Sequence, residues 1–260
     1  MRVTIQDVQK MKRNAQPIPV LTCYDYTSAK ILDSAGVPVL LVGDSLGMVV
    51  LGHETTIPVT MDMMIHHCRA VSRGAKNALI VFDMPFATCS PADPAGSLRN
   101  AARALAEGGA QAVKIEGGTH MAPVVTAFVG AGIPVMGHIG LTPQSVYQLG
   151  GYRVQGRDGA GQERLQADAV ALEAAGAFSI VLELVPADLA ARITAQVRIP
   201  TIGIGAGPHC DGQVQVFHDV FGLYEDFVPK HTKRYATVAA TLREAAKTYI
   251  TEVTQHRFPE

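Results

Sequence analysis

The chain has 260 residues, 48% of them apolar and 17% charged, with a formal net charge of -1 and a pI near 6.8. That much apolar content supports a large buried core and excludes disorder by composition, while the near-zero charge offers no attraction to nucleic acid or to an anionic membrane surface. Trp is absent and aromatics are few, so the interior must be packed with Val, Ile, Leu, Ala and Gly.

The chain opens with MRVTIQDVQKMK, which has no apolar core of a secretory signal. The longest apolar runs, such as 37–42, are far too short to span a bilayer. Four scattered cysteines, Cys23, Cys68, Cys89 and Cys210, form no C-x-x-C pair and read as reduced, buried thiols of a cytoplasmic protein. A strand is predicted at 18–22, then a helix at 26–35 that stops near Gly36. A strand at 38–42 precedes a helix at 61–74, and a strand at 78–82 precedes an Ala- and Arg-rich helix at 97–107. Strand 112–115, helix 121–130, strand 133–137 and helix 162–175 continue the alternation. Strand 178–182 is followed by a helix at 186–195, with Pro186 in its first turn. Strands at 201–204 and 214–217 complete the set, and an amphipathic stretch at 232–254 suits a final docked helix.

Most of these strands are continuous apolar runs, as expected of parallel strands buried on both faces. Eight strands with interleaved helices and no sign of a second core predict an α/β fold, a closed (β/α)8 TIM barrel forming a single domain over 1–260. The competing architecture is a doubly wound Rossmann-like sheet. The stretch Gly203-Ile-Gly-Ala-Gly207 does not support it, because its spacing is G-x-G-x-G and no acidic residue follows in a second strand. It is either a loop that lets backbone approach a ligand at the barrel mouth or a tight turn without one.

Polar residues cluster where the apolar runs end. The second strand ends in Asp44 and Ser45, the third in Asp83, the fourth carries Lys114 and Glu116, the fifth ends at His138 and the sixth at Glu183. In a barrel these carboxyl ends open onto one face, where catalytic groups sit. Side chains alternate along a strand, so Lys114 and Glu116 share a face. Several carboxylates converging in a small volume are costly unless a cation offsets them. The all-oxygen set favours Mg2+ over Zn2+. Singly, each residue has a structural alternative: Asp44, Ser45 and Asp83 as helix caps, Lys114 and Glu116 as an internal ion pair, His138 as a hydrogen-bonded core residue. Their coincidence at equivalent ends of successive strands favours a site. His66-His67-Cys68 reads as packing on a helix, since adjacent side chains point about 100° apart. The glycine-rich stretch from Gly150 to Arg157 is either a lid or a surface excursion.

The strings LTCYDY at 21–26, LVGDSLGMVVLGHETTIPVTMDMMIHH at 41–67, VFDMPF at 81–86 and VKIEGG at 113–118 resemble the ketopantoate hydroxymethyltransferase family. So do PVMGHIGLTPQSV at 134–146, GGYRVQGR at 150–157, LELVP at 182–186 and IGIGAG at 202–207. The resemblance runs from about Thr4 to about Phe227. It implies a barrel of the phosphoenolpyruvate/pyruvate type and transfer of a hydroxymethyl unit from 5,10-methylenetetrahydrofolate to 3-methyl-2-oxobutanoate. The implied products are 2-dehydropantoate and tetrahydrofolate, and the implied route is through an enolate stabilised by Mg2+. By the same resemblance the metal ligands are Asp44 and Asp83, with Glu116 in or near the metal shell. The substrate contacts are Asp44, Ser45, Asp83, Lys114 and His138, and the base is Glu183. A ring-shaped homodecamer is implied as well. An isocitrate-lyase-like enzyme of the same barrel group would carry a lid cysteine in a motif such as KKCGH, which this sequence lacks. A barrel that binds metabolite without turnover would be expected to have lost Glu183.

Overall fold

Runs of Val, Ile and Leu bounded by glycine and proline form eight parallel strands that close a barrel in chain order. They are β1 (Ile18–Thr22), β2 (Val39–Val42), β3 (Leu79–Asp83), β4 (Ala112–Glu116), β5 (Val135–Gly140), β6 (Ser179–Glu183), β7 (Thr201–Ile204) and β8 (Gly212–Gln215). The computed structural model describes residues 1–259. The chain divides into a compact unit spanning Met1–Val214 and another from Gln215 onward. The predicted barrel is therefore present. Every residue of β2 and β3 is buried, in keeping with helices covering the outside and side chains filling the inside.

The inner face follows the strand period of two. Leu79 and Val81 of β3, Ala112 of β4, Met136 of β5 and Val181 of β6 belong to one buried cluster. Two positions further along each of these strands the same face carries Asp83, Lys114, His138 and Glu183, and Glu116 lies two beyond Lys114. The apolar core thus runs directly into a layer of charge at the carboxyl end.

A helix that the sequence reading missed, Ile5–Arg13, closes the other end. Thr4 and Asp7 cap each other's backbone at its start. Val8 is fully buried in the cluster that holds Ile18 and Leu79, both at strand starts. Arg2 donates to the carbonyls of Ala75 and Ala78. The Lys12 ammonium donates to the carbonyls of Thr194, Val197 and Ile199 and pairs with Asp211 at 2.9 Å.

Element boundaries shift for local reasons. The helix predicted at 97–107 begins at Pro94 and ends at Ala106, because Asp93 caps it and proline suits a first helical position. The helix predicted at 162–175 begins at Gly159, capped by Asp158, and ends at Ala174. Pro186 sits at the cap position of Ala187–Gln196, not in its first turn. β8 lies two residues earlier than predicted, at Gly212–Gln215 in place of 214–217. Closure against β1 demands this glycine, since a Cβ at Gly212 would lie 2.2 Å from the Ile18 carbonyl oxygen. No helix links β7 to β8. Gly205 and Gly207 adopt positive φ, and a Cβ at Gly207 would fall 2.4 Å from that of Ala187. The glycine-rich stretch is therefore a tight packed turn that returns the chain to the barrel base.

In the unit from Gln215 onward, Phe217–Val220 is a short helix where strand was predicted. The last helix, Val238–Thr254, is shorter than the predicted 232–254, and none of its residues is buried. No helix among the described residues is long and apolar enough to cross a membrane. All four cysteines are free; Cys23 and Cys68 are buried, and Cys89 and Cys210 are partly so.

Candidate active site

The strand-end residues meet because of the register. Asp83 of β3 pairs with Lys114 of β4, Glu116 of β4 with His138 of β5, and Gly140 at the end of β5 with Glu183 of β6. Strands lie about 4.8 Å apart, so each charged side chain can reach the next. Gly140 has φ of 96°, and a Cβ there would lie 2.2 Å from the Glu183 carbonyl oxygen, so only glycine lets β5 end against β6 at this point.

Lys114 Nζ is 2.7 Å from Asp83 Oδ1 and 3.9 Å from Glu116 Oε1. His138 sits between two carboxylates, with Nδ1 3.4 Å from Glu116 Oε1 and Nε2 3.2 Å from Glu183 Oε2. Neither contact is aligned as a hydrogen bond, so the attraction is one of charge. Asp44 lies beside this group, its backbone N–H 3.4 Å from Asp83 Oδ2. Ser45 is held by the Tyr24 hydroxyl at 2.9 Å, and the Tyr24 carbonyl meets His67 Nδ1 at 2.6 Å.

The capping alternatives fail here. Ser45 makes no side-chain cap bond to the short helix Leu46–Val49. The helix after β3 is capped by Asp93, not Asp83, and the helix after β6 has no side-chain cap from any residue. The Lys114–Glu116 ion pair exists, but it belongs to a larger cluster.

Burial pushes the Asp44 carboxyl well above the usual carboxylate range, and repulsion from Asp83 and Glu116 adds to it. Burial also raises Asp83, against the pull of Lys114. Burial opposes the charge on Lys114, yet Asp83, Glu116 and Asp44 together hold its ammonium protonated more firmly than in a free lysine. His138 is likewise disfavoured as a cation by burial and by Lys114, but Glu116 and Glu183 prevail and push it up to about 9. That direction favours the imidazolium at neutral pH. Burial acts to raise Glu116, and the contacts with His138, Lys114 and the Gln144 N–H outweigh it and lower the carboxyl. Unrelieved repulsion is thus concentrated on Asp44 and Asp83.

Among the described residues no three His, Cys, Asp or Glu side chains form a ready-made metal cage. His66 and His67 stack edge to face and share no such site. Asp44 and Asp83 nevertheless suit a hard divalent cation: both are buried, both are destabilised as a pair of anions, and both offer oxygen. Mg2+ is often held by one or two carboxylates, with water and substrate oxygens filling the other positions.

Several polar groups at the site escaped the sequence reading. Gln144, in the turn Pro143–Ser145 after β5, bonds to Asp44 and to Glu116. Tyr24 follows β1, a strand that ends in no charged residue. Tyr152 reaches Met48 Sδ at 3.9 Å, and its hydroxyl is raised by burial and by Glu183, Asp44 and Glu116. For Tyr24 and Gln144 the available signal was position, just beyond a strand end; Tyr152 lies further on, in the glycine-rich stretch from Gly150 to Arg157.

A family model described as ketopantoate hydroxymethyltransferase matches residues 2–260. The 3-methyl-2-oxobutanoate hydroxymethyltransferase of Chloroflexus aurantiacus is 58% identical over 259 residues, covering 100% of this chain and 91% of that protein. The proteins of that name from Dehalococcoides mccartyi and Carboxydothermus hydrogenoformans are 58% and 56% identical, each over 100% of this chain and over 92% and 94% of their own lengths. Among solved structures, a phosphonopyruvate hydrolase complex with oxalate and Mg++ superposes with a TM-score of 0.64 at 12% identity, over 98% of this chain and 88% of that one. A 2,3-dimethylmalate lyase described as a PEP mutase/isocitrate lyase superfamily member gives 0.61 at 16% identity, over 100% and 90%. At such identities the likeness is one of fold alone.

Proposed function

The chain belongs to the ketopantoate hydroxymethyltransferase family, and we propose from that premise that it transfers a hydroxymethyl group from 5,10-methylenetetrahydrofolate to 3-methyl-2-oxobutanoate. The products are 2-dehydropantoate and tetrahydrofolate, on the route to pantothenate and coenzyme A in the cytoplasm. The acceptor loses its C3 hydrogen and gains CH2OH; the donor supplies the carbon and water supplies the hydroxyl oxygen.

The observation that carries the proposal is the difference in access among four converging carboxylates. The side chains of Asp83 and Glu116 are 3% and 5% exposed and Asp44 is 4% exposed, whereas the Glu183 side chain is 18% exposed. Glu183 is thus the carboxylate open to a substrate proton. His138 engages its Oε2, which leaves Oε1 to take the C3 proton. Asp44 and Asp83 would hold Mg2+, with Glu116, whose Oε2 accepts the Gln144 N–H, in or near the metal shell. A Mg2+ bound there would offset the negative charge that develops on the keto oxygen. Lys114 places a second cation beside Asp83, where a substrate oxygen can meet it. Ser45, fixed by Tyr24, offers a hydroxyl to the substrate carboxylate. The imidazolium of His138 lies between the Glu116 and Glu183 carboxylates and offsets their mutual repulsion. The homodecamer belongs to the same reading, supported by the family resemblance and by Leu242, Tyr249, Ile250 and Val253 standing exposed on the last helix.

The test is isotope exchange. With Mg2+ and no folate, the enzyme should exchange the C3 proton of 3-methyl-2-oxobutanoate with D2O. Glu183→Gln keeps shape and removes basicity, so it should abolish exchange while calorimetry still records substrate binding. Rapid exchange by a folded, Mg2+-loaded Glu183→Gln enzyme would assign the base to another group.

A further inference from the structure

Three elements of the barrel mouth are tied together by one uncharged residue. Gln144 lies in the turn Pro143–Ser145 that follows β5. Its side-chain amide Nε2 donates to Asp44 Oδ2, beyond β2, at 2.9 Å, and to the Met84 carbonyl, beyond β3, also at 2.9 Å. Its backbone N–H donates to Glu116 Oε2, at the end of β4, at 3.0 Å. Both protons of the amide nitrogen are used, which fixes the plane of the amide. The Met84 carbonyl anchors the nitrogen to the barrel wall, so the position of Asp44 Oδ2 is set by backbone and not by a mobile side chain.

We propose that Gln144 is a positioning residue, which holds Asp44 by Oδ2 so that Oδ1 is presented to a divalent cation and the keto acid it carries. This rests on the reading of Asp44 as a Mg2+ ligand. Without the Nε2 donor, Asp44 would lose a neutral partner while still facing Asp83 and Glu116, and Oδ2 would lose its tether to the barrel wall. The backbone bond to Glu116 does not depend on the side chain, so substitution at this position separates the Asp44 anchor from the Glu116 anchor.

The experiment is calorimetric titration of MgCl2 into wild type, Gln144→Ala and Gln144→Met, without substrate, alongside circular dichroism and thermal unfolding. Gln144→Met keeps length and volume and removes the donors, so it reports on the hydrogen bonds even if the alanine variant folds poorly. Partners that orient metal ligands typically contribute about 10- to 100-fold in affinity. Both variants should weaken Mg2+ binding by about that factor with an unchanged fold, and should raise the KM for 3-methyl-2-oxobutanoate more than they lower kcat. Mg2+ affinity within about twofold of wild type in a folded variant overturns the role of Gln144 and leaves the metal reading intact. A wild-type protein that binds no Mg2+ overturns both.

Discussion

His138 shows how far a single side chain is governed by neighbours that are distant in the chain. Its folded value near 9 lies above the 6.5 of an unperturbed imidazole. Its contribution to stability is therefore complete below about pH 6.5 and is lost as pH rises through 9. That gap corresponds to about 3 kcal/mol. In urea unfolding with a chelator present, wild type should lose about that much more than His138→Gln between about pH 6 and pH 9.5. Equal losses would mean that the folded protein holds His138 neutral. Lys114 is the complementary case. Its ammonium contacts Asp83 and Glu116 inside the barrel, so Lys114→Ala strips buried Asp83 of its contacting cation and should cost the metal-free protein about 3–5 kcal/mol. Added Mg2+ should recover part of that loss and bind with similar or tighter affinity, while substrate KM rises and turnover falls. An unchanged stability and an unchanged steady-state profile would remove Lys114 from the cluster's energetics.

At the scale of elements, the two ends of the barrel separate stability from chemistry. The helix Ile5–Arg13 was overlooked because it is short and its apolar residues are few. Its signals were nonetheless local: the Thr4 and Asp7 box, and Ile5, Val8 and Met11 at helical spacing. Lys12 of this helix takes three backbone carbonyls that precede β7 and pairs with Asp211, which precedes β8. Lys12→Met should destabilise the protein by about 3 kcal/mol in urea unfolding, with kcat and KM unchanged, because these contacts lie at the amino ends of the strands. A change in kcat without loss of stability would contradict that division. The turn after β5 was harder to read. Its sequence announces a proline-led turn, but nothing in it says that residue 144 would reach residue 44.

For the whole molecule, the proposed assembly has a direct test. A ring-shaped decamer would give a sedimentation-equilibrium mass ten times that of the 27.6 kDa chain. A monomer or dimer at micromolar concentration would rule it out. The barrel itself is shared with phosphonopyruvate hydrolase and 2,3-dimethylmalate lyase. The fold therefore says little about which bond is made, and the argument for hydroxymethyl transfer rests on the family match and on the particular groups at the mouth.

The local pattern of the chain was enough to determine the order of the eight strands, most of the helices between them and the identity of the strand-end groups. Parallel strands buried on both faces must be apolar throughout, so a charged residue at the close of such a run stands out without any three-dimensional knowledge. Asp83, Lys114, Glu116, His138 and Glu183 were legible on that ground. The tertiary structure alone decided the register that sets Asp83 beside Lys114 and Glu116 beside His138, the closure that requires Gly212, the bond from Gln144 to Asp44, and the charge carried by His138. Each of these depends on distances between strands, and hydrogen bonds and pKa values respond to such distances over a few ångströms. A pattern with a period of two along one strand carries no information about how far its neighbour has slipped.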